Sequence, residues 1–131
     1  DPGRSKCGVA VVARDARRDK PGMRVLHQAV IPAADLASCI RDLSARFTPD
    51  VILLGNGTNS AEAARAVDAA QQVPVLIVDE RLSTIDARKR YFRENPPRGL
   101  RRLIPVSLQV PPRPYDDYVA LILAERHLAA M

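Results

Sequence analysis

The sequence is short of several features that assign many proteins to a class. No apolar run approaches the roughly 18 residues of a membrane-spanning helix, and no basic and apolar leader is recognisable at the start. We therefore expect a cytoplasmic protein that does not bind a membrane. The two cysteines, Cys7 and Cys39, are not spaced as a metal-binding motif, and we expect both to be reduced, buried and unreactive.

Histidine is equally scarce, with two residues in the chain. His27 lies in a strand pattern without a second metal ligand at useful spacing, which favours a structural or surface role. No serine–histidine or cysteine–histidine pairing indicates an activated nucleophile, and internal repeats are absent. The composition, 47% hydrophobic and 27% charged over 131 residues, predicts a single globular domain spanning residues 1–131.

The hydrophobic patterns predict an α/β domain. The stretch DPGRSKCGVAVV is typical of the end of one strand, a turn at Pro2-Gly3 and the start of a second strand. Because this second strand is apolar on both faces, we expect it inside a sheet rather than at an edge. The predicted elements that follow are an antiparallel partner strand at 23–31, a helix at 32–47, a buried parallel strand at 50–55, a helix at 60–72, a buried strand at 73–78, a helix from Ser83 or Thr84 to about Arg93, and a last helix at 118–130.

Acidic residues occur at three places that the fold brings to strand or helix ends. Asp1 follows the first strand, Asp79 and Glu80 follow the last buried strand, and Asp116 and Asp117 open the last helix. Ligands collect at the carboxyl ends of parallel strands. Carboxylates held close together repel one another unless a cation neutralises them, and Mg²⁺ prefers carboxylate, water and phosphate oxygens. Two such ions about 3.5–4 Å apart can bind both reacting oxygens of a phosphodiester, so the pattern favours metal-assisted phosphodiester hydrolysis.

A strongly basic segment follows the second acidic pair. Between residues 81 and 113, nine basic residues stand against two acidic ones, a local charge of +7 that exceeds the net charge of +5. Tyr91 and Phe92 are interleaved with the basic residues. This composition favours a surface that binds nucleic-acid phosphates, and a solvated charge run is the alternative. The loop at 55–60, GNGTNS, could contact a phosphate through backbone N–H groups, or Asn59 and Glu62 could simply cap the next helix.

Four stretches resemble the YqgF/RuvX family, which consists of Holliday junction resolvase-like nucleases of the ribonuclease H superfamily: DPGRSKCGVAV, GNGT, VDERLST with DARKRYF, and YDDYVALILAERHL. The stretch NPPRGLRRLIPVSLQVPPRPYDDY resembles the branch found in cyanobacteria and some other bacteria. The resemblance implies a ribonuclease H-like mixed sheet, an antiparallel meander followed by parallel strands, with helices on both faces. It also implies that most of the first strand precedes residue 1.

The activity that the resemblance implies is Mg²⁺- or Mn²⁺-dependent cleavage of structured nucleic acid, in 16S rRNA precursor processing, Holliday junction resolution or both. The implied catalytic and metal-binding acids are Asp1, Glu80 and Asp116, with Asp117 as the alternative to Asp116. Contacts with nucleic acid are expected from Arg4, Lys6, Thr58, Arg81, Ser83, Arg98, Arg101, Arg102 and Arg113.

Several questions stay open at the level of the sequence. RNA and DNA are both candidate substrates, and cleavage within a strand or from an end is equally open. A junction substrate would need two active sites and hence a homodimer. A non-catalytic nucleic-acid-binding module on the same fold is the alternative function. A nucleotide-binding role ranks last, because a single domain lacks the second half that encloses a nucleotide in other superfamily members.

Overall fold

The computed structural model describes residues 5–15, 22–57, 60–70, 73–80 and 83–130. The strand end and the turn predicted at residues 1–3 lie outside these ranges, and each of the other predicted strands and helices has a counterpart with shifted ends. The strand predicted as buried at 73–78 is not buried among the described residues, because Leu76 and Ile77 are 46% and 55% exposed. None of these helices has the length and the apolar character needed to span a bilayer. In chain order the elements are β1 (Lys6–Asp15), β2 (Gly22–Pro32), a 3₁₀ helix (Ala33–Asp35), α1 (Leu36–Phe47), β3 (Ile52–Gly55), α2 (Ser60–Ala70), β4 (Val75–Val78), α3 (Ser83–Glu94), two 3₁₀ helices (Gly99–Leu103 and Val106–Leu108) and α4 (Asp116–Ala129).

β1 and β2 form the predicted antiparallel hairpin. Among the described strands, β2 is the one that pairs with β1, so the expectation that β1 lies inside a sheet is wrong for this part of the chain. The apolar pattern reflects burial of both faces instead. Cys7 and Val9 pack against apolar residues of α1, β3 and α2, whereas Ala10 and Val12 pack against those of α3 and α4. Two covered faces produce a continuous apolar run without a neighbour at both edges.

β3 and β4 form a second, parallel pair, with Ile52 opposite Val75 and Gly55 opposite Val78. α2 connects the two strands, as the strand–helix–strand pattern predicts. The two sheets are separate pieces within the described ranges, although the sequence predicts one mixed sheet. An apolar cavity of about 170 Å³ is lined by residues of β1, β3, α1 and α4, so β1 and β3 border a gap rather than a shared ladder.

α3 and α4 pack together through rings and two ion pairs, Arg90 with Glu125 and Arg126 with Asp86. The Tyr91 ring makes edge contacts with Phe92 and Tyr118, with centroids 5.2 and 5.5 Å apart. Arg90 Nη1 lies 2.7 Å from Glu125 Oε1. α4 also packs along β1, so the position of its first turn is set by both the hairpin and α3.

The two cysteines are free thiols. Cys7 is buried as predicted, whereas Cys39 on α1 is half-buried. Burial, together with the charges of Asp42 and Asp35, raises the pKa of the Cys39 thiol. The thiol therefore stays protonated near neutral pH and is a weak nucleophile.

Candidate active site

Glu80 lies just beyond the carboxyl end of β4, as the sequence predicts. The Asn56 N–H donates to the Val78 carbonyl at 3.0 Å, and the Glu80 N–H donates to Asn56 Oδ1 at 3.3 Å. These bonds continue the contact between the two parallel strands past their last paired residues. The ends of β3 and β4 therefore hold the Glu80 backbone in one place.

The Glu80 carboxylate lies against the loop that follows β3. A Cβ atom built on Gly55 would lie 2.2 Å from Glu80 Oε2, and one built on Gly57 would lie 1.7 Å from Glu80 Oε1. Both distances are far shorter than a non-bonded contact, so glycine at these positions leaves the space that the carboxylate occupies. The glycines of this loop thus shape the acidic site.

One oxygen of this carboxylate has no hydrogen-bond partner in the described part of the chain. Glu80 Oε2 is buried and accepts no hydrogen bond from those residues. Leaving a buried polar atom unsatisfied costs about 1–3 kcal/mol, and more for a charged group, so such atoms usually have a ligand or a functional reason. A divalent cation suits this oxygen, because Mg²⁺ and Mn²⁺ prefer carboxylate and water oxygens.

Ser83, the first residue of α3, supports the Glu80 backbone. Its N–H donates to the Glu80 carbonyl at 3.1 Å, and its hydroxyl donates to the same oxygen. The side chain is fully buried, and its hydroxyl closes the turn after β4. Ser83 therefore holds the Glu80 backbone in place, and its expected contact with nucleic acid stays a prediction.

The first turn of α4 lies directly on β1. A Cβ atom built on Gly8 would lie 1.9 Å from the Asp116 carbonyl oxygen and 2.5 Å from the Asp117 nitrogen. A side chain does not fit between these backbones, so Gly8 permits the close approach that brings both acids to the hairpin. The helix starts at Asp116, two residues before its predicted start, because its dipole favours acids in the first turn.

Asp117 is the buried member of the acidic pair, with 5% of its surface exposed. Gln28 Nε2 on β2 donates to its Oδ2 at 2.9 Å, and two guanidinium nitrogens of Arg113 lie 3.3 and 3.4 Å from its two oxygens. The guanidinium also lies 5.3 Å from the ring centroids of Tyr91 and Tyr118. Burial by itself lowers the pKa of Arg113, but the hydrogen bonds and charge of Asp117 outweigh it and raise that pKa. Protein donors therefore occupy both Asp117 oxygens.

Asp116 has different surroundings. It is half-buried, and its carboxylate forms no hydrogen bond or ion pair with any other described residue. Its oxygens are therefore available to a ligand from outside those residues. Adjacent positions on one helix thus present one occupied and one accessible carboxylate.

Four predicted site residues lie outside the described residues: Asp1, Arg4, Thr58 and Arg81. The described residues on their own contain no group of three or more Asp, Glu, His or Cys side chains that could hold a metal ion. The predicted trio includes Asp1, so its assembly stays a prediction.

The described basic residues of the predicted site fall into two groups. Arg113 is engaged with Asp117 and two tyrosine rings. The other four are exposed to solvent and are Lys6, Arg98, Arg101 and Arg102. Exposure leaves these four able to meet an anionic partner.

The site also depends on Gln28, Asn56 and Gly8, which the sequence did not indicate as site residues. A lone glycine in a strand pattern signals a close backbone approach, so Gly8 could have been found. Asn56 lies in the loop after β3 and could have been considered there. Gln28 carries no local signal, because its partner Asp117 is 89 residues away along the chain.

Comparison with known proteins identifies the fold. No protein-family model and no curated protein matches the sequence. Among solved structures, that of RuvC from Thermus thermophilus matches with a TM-score of 0.63 and 20% sequence identity, over 97% of this chain and 88% of that chain. At this identity the similarity shows the fold alone. The chain has a mixed α/β fold with antiparallel and parallel sheet pieces, similar to the fold of that RuvC structure.

Proposed function

We propose that the protein is a divalent-metal-dependent nuclease of the YqgF/RuvX type that hydrolyses phosphodiester bonds in branched or structured nucleic acid. The observation that carries the proposal is Glu80 Oε2, a buried carboxylate oxygen without a donor among the described residues, at the carboxyl end of β4. The RuvC-like fold supports it, because RuvC is a Holliday junction resolvase.

The proposed ligands of Mg²⁺ or Mn²⁺ are Glu80, Asp116 and Asp1. Glu80 and Asp116 both keep carboxylate oxygens that the described side chains leave unoccupied, which fits the oxygen ligands that these ions prefer. Asp1 is included among the proposed ligands because of the sequence motif in which it lies. When bound, such ions stabilise the charge that develops on a phosphodiester and make water a better nucleophile.

Support for Asp116 rather than Asp117 comes from the partners of each side chain. The oxygens of Asp117 already accept hydrogen bonds from Gln28 and Arg113. A cation at Asp117 would have to displace these donors and lie beside a guanidinium, whereas Asp116 needs no such rearrangement.

Neighbouring residues prepare Glu80 for this role. Ser83 and Asn56 fix its backbone, and Gly57 leaves the space for its carboxylate. A carboxylate held in this way needs little reorganisation when the substrate binds, and preorganisation is a major source of catalytic power.

The exposed basic residues are the proposed phosphate contacts. Arg98, Arg101 and Arg102 face solvent in a stretch whose net charge is strongly positive, and Lys6 is exposed at the start of β1. Counterion release from the nucleic-acid backbone makes such contacts favourable and dependent on salt. The contacts proposed from the sequence alone are Arg4, Thr58 and Arg81.

We propose a four-way DNA junction as the first substrate to test, on the basis of the RuvC-like fold. Cutting a junction symmetrically needs two active sites, so we propose that the protein acts on this substrate as a homodimer. The 16S rRNA precursor is the second substrate, on the basis of the resemblance in sequence.

The experiment incubates the protein with a labelled four-way junction, a linear duplex of the same sequence and a structured 16S rRNA precursor fragment. Each substrate is tested with Mg²⁺, with Mn²⁺ and with EDTA. We expect cuts that require a metal ion and that Glu80→Gln abolishes. Glu94→Gln is the matched control, because it removes the same charge from an exposed residue at the end of α3.

The pattern of cuts identifies the substrate. Paired symmetric cuts in the junction indicate a resolvase, and cuts in the RNA alone indicate a ribosomal-processing nuclease. Binding to these substrates without metal-dependent cuts would contradict the proposal and leave a nucleic-acid-binding module.

A further inference from the structure

The connection between α3 and α4 turns leucines toward solvent. Residues 98–110, which we call the Leu–Arg segment, contain the 3₁₀ helices Gly99–Leu103 and Val106–Leu108. Leu100, Leu103 and Leu108 are 83%, 82% and 75% exposed. Single exposed apolar residues are common on protein surfaces, but a cluster of this kind in one short segment is typical of an interaction surface.

Internal hydrogen bonds give the segment a defined shape. Gln109 is only 9% exposed, and its Nε2 donates to the carbonyls of Arg101 and Ile104, each at 2.9 Å. Arg102 Nε donates to the Gly99 carbonyl at 3.2 Å. Gln109 is buried while the leucines are exposed, whereas proteins ordinarily bury leucine and expose glutamine. The segment is therefore held by polar bonds in a form that presents its leucines.

Leu100 and Leu103 form one ridge on this surface. They are three residues apart in a 3₁₀ helix, where side chains at this spacing lie above one another. At about 2.0 Å of rise per residue, the ridge is about 6 Å long. Arg101 and Arg102 lie between the two leucines in sequence, Arg98 precedes them, and residues 98–110 contain no acidic residue. The ridge is thus apolar and has arginines beside it in sequence, and further exposed apolar residues follow it at Ile104, Val106, Leu108 and Val110.

Charge and size select the partner of this ridge. Two copies of the segment would repel each other, because each carries three arginines and no acid. A membrane-binding segment is typically one continuous amphipathic helix, whereas the exposed apolar residues here lie on two short 3₁₀ helices and the residues beside them. Nucleic acid offers apolar base faces beside phosphates, and proteins open base steps by inserting leucine and similar side chains between them.

We propose that the ridge of Leu100 and Leu103 inserts between bases at the branch point of a nucleic-acid junction, while Arg98, Arg101 and Arg102 bind the flanking phosphates. This inference rests on the proposed nuclease function. It adds that the Leu–Arg segment recognises branched substrates. Insertion is easiest where bases are already poorly stacked, because less stacking energy is given up there. The ridge therefore favours a branch point over a continuous duplex.

The test uses a four-way DNA junction with 2-aminopurine, whose fluorescence rises when it unstacks, at the branch point. A continuous duplex carries the same base, and EDTA prevents cleavage. We expect the protein to raise the fluorescence of the junction and not of the duplex. Leu100→Ser with Leu103→Ser removes the rise and weakens junction binding by about 10-fold, which is within the loss expected when the burial of leucine side chains is removed, while duplex affinity stays unchanged.

Two further variants separate apolar insertion from phosphate binding. Met23→Ser is the apolar control, since Met23 on β2 is 39% exposed, and it leaves both signals intact. Arg101→Ala with Arg102→Ala weakens binding to junction and duplex alike, and lowers the slope of log affinity against log salt by about 0.9 for each phosphate that the variant no longer binds. The leucine variant keeps the original slope. An unchanged slope in the arginine variant would overturn the assigned role of the arginines.

The remaining outcomes distinguish this inference from the proposed function. If the leucine variant still unstacks the branch point and binds the junction as tightly as the unaltered protein, the inference is overturned, and metal-dependent cleavage by that protein leaves the proposed function standing. If the unaltered protein neither binds nor cuts nucleic acid, both are overturned. If the leucine variant instead loses binding to phosphatidylserine vesicles with junction binding unchanged, the surface is a membrane contact and the inference is overturned.

Discussion

Buried carboxylate oxygens occur in two acidic sites, one at the end of β4 and one at the start of α4. The two sites differ in the hydrogen bonds that these oxygens accept. Asp117 receives hydrogen bonds from Gln28 and Arg113 on its two oxygens. Glu80 is fixed through its backbone, while its Oε2 is buried without a donor among the described residues. The first arrangement stabilises the fold, and the second leaves an oxygen for a ligand. Two acids with buried oxygens can therefore have opposite purposes.

The difference lies in what surrounds each side chain. Long polar side chains reach Asp117 from β2 and from the segment before α4. The Glu80 carboxylate lies against Gly55 and Gly57. Neither glycine has a side chain that could donate a hydrogen bond to the carboxylate oxygens. A protein that leaves a buried carboxylate oxygen unpaired gives up stability, which is expected at functional sites.

The largest expected effect is that of Glu80→Gln on activity. We expect cleavage to fall by about 10²- to 10⁴-fold, the range for losing a group that acts at the reacting centre. The midpoint of thermal unfolding should stay the same or rise, because the variant removes a buried negative charge without a described partner. Single-turnover cleavage and thermal unfolding of the same samples give both values. A large loss of stability with normal cleavage would show that Glu80 has a structural role, like the one assigned to Asp117.

Two glycine substitutions sharpen the comparison. In Gly8→Ala the new methyl group meets the backbone of Asp116 and Asp117, which cannot move easily, so we expect a loss of about 3 kcal/mol in the free energy of unfolding. In Gly57→Ala it meets only the end of the flexible Glu80 side chain, so stability should change by less than about 1 kcal/mol while activity falls by about 10- to 100-fold.

Urea unfolding and cleavage assays of both glycine variants check these values. Each variant is the control for the other, because the chemical change is the same. Equal losses of stability would show that the two glycines do not differ in the way the contacts indicate.

The adjacent acids of α4 separate structural from functional roles. Asp117→Asn should lower the free energy of unfolding by about 1.5 kcal/mol, because it weakens hydrogen bonds to a charged partner. Asp116→Asn should change it by less than about 0.5 kcal/mol and cost far more activity. Unfolding and cleavage measured on the two variants decide the assignment. The reverse order of activities would make Asp117 the metal ligand.

The smallest expected effect concerns an acid far from this chemistry. Glu125→Gln breaks the 2.7 Å contact with Arg90 that joins α3 to α4. Both side chains are partly exposed, so we expect a loss of about 0.2–1 kcal/mol in the free energy of unfolding and no change in cleavage. Thermal unfolding in low and high salt checks this, since screening should reduce the difference. A marked loss of activity would show that the packing of α3 on α4 controls the site.

Local patterns predicted the elements of the fold better than their assembly. Apolar periodicity predicted α1 and a continuous apolar run predicted β3, because side chains on a buried face must be apolar whatever lies opposite. The same periodicity could not tell whether β1 has one neighbour or two, since it reports covered faces and not paired edges. The predicted continuous sheet therefore appears in the described residues as two pieces.

The candidate site shows the same division. The sequence by itself determined that Glu80 follows a strand and that two acids open the last helix, because strand ends and helix starts are read from adjacent residues. Only the tertiary structure decided that Asp117 is paired and Asp116 accessible, and that Ser83 faces inward. It also decided that Gln109 is buried while Leu100 is exposed. These choices depend on contacts between residues distant in sequence or on the fold of a whole loop, and no local pattern encodes them.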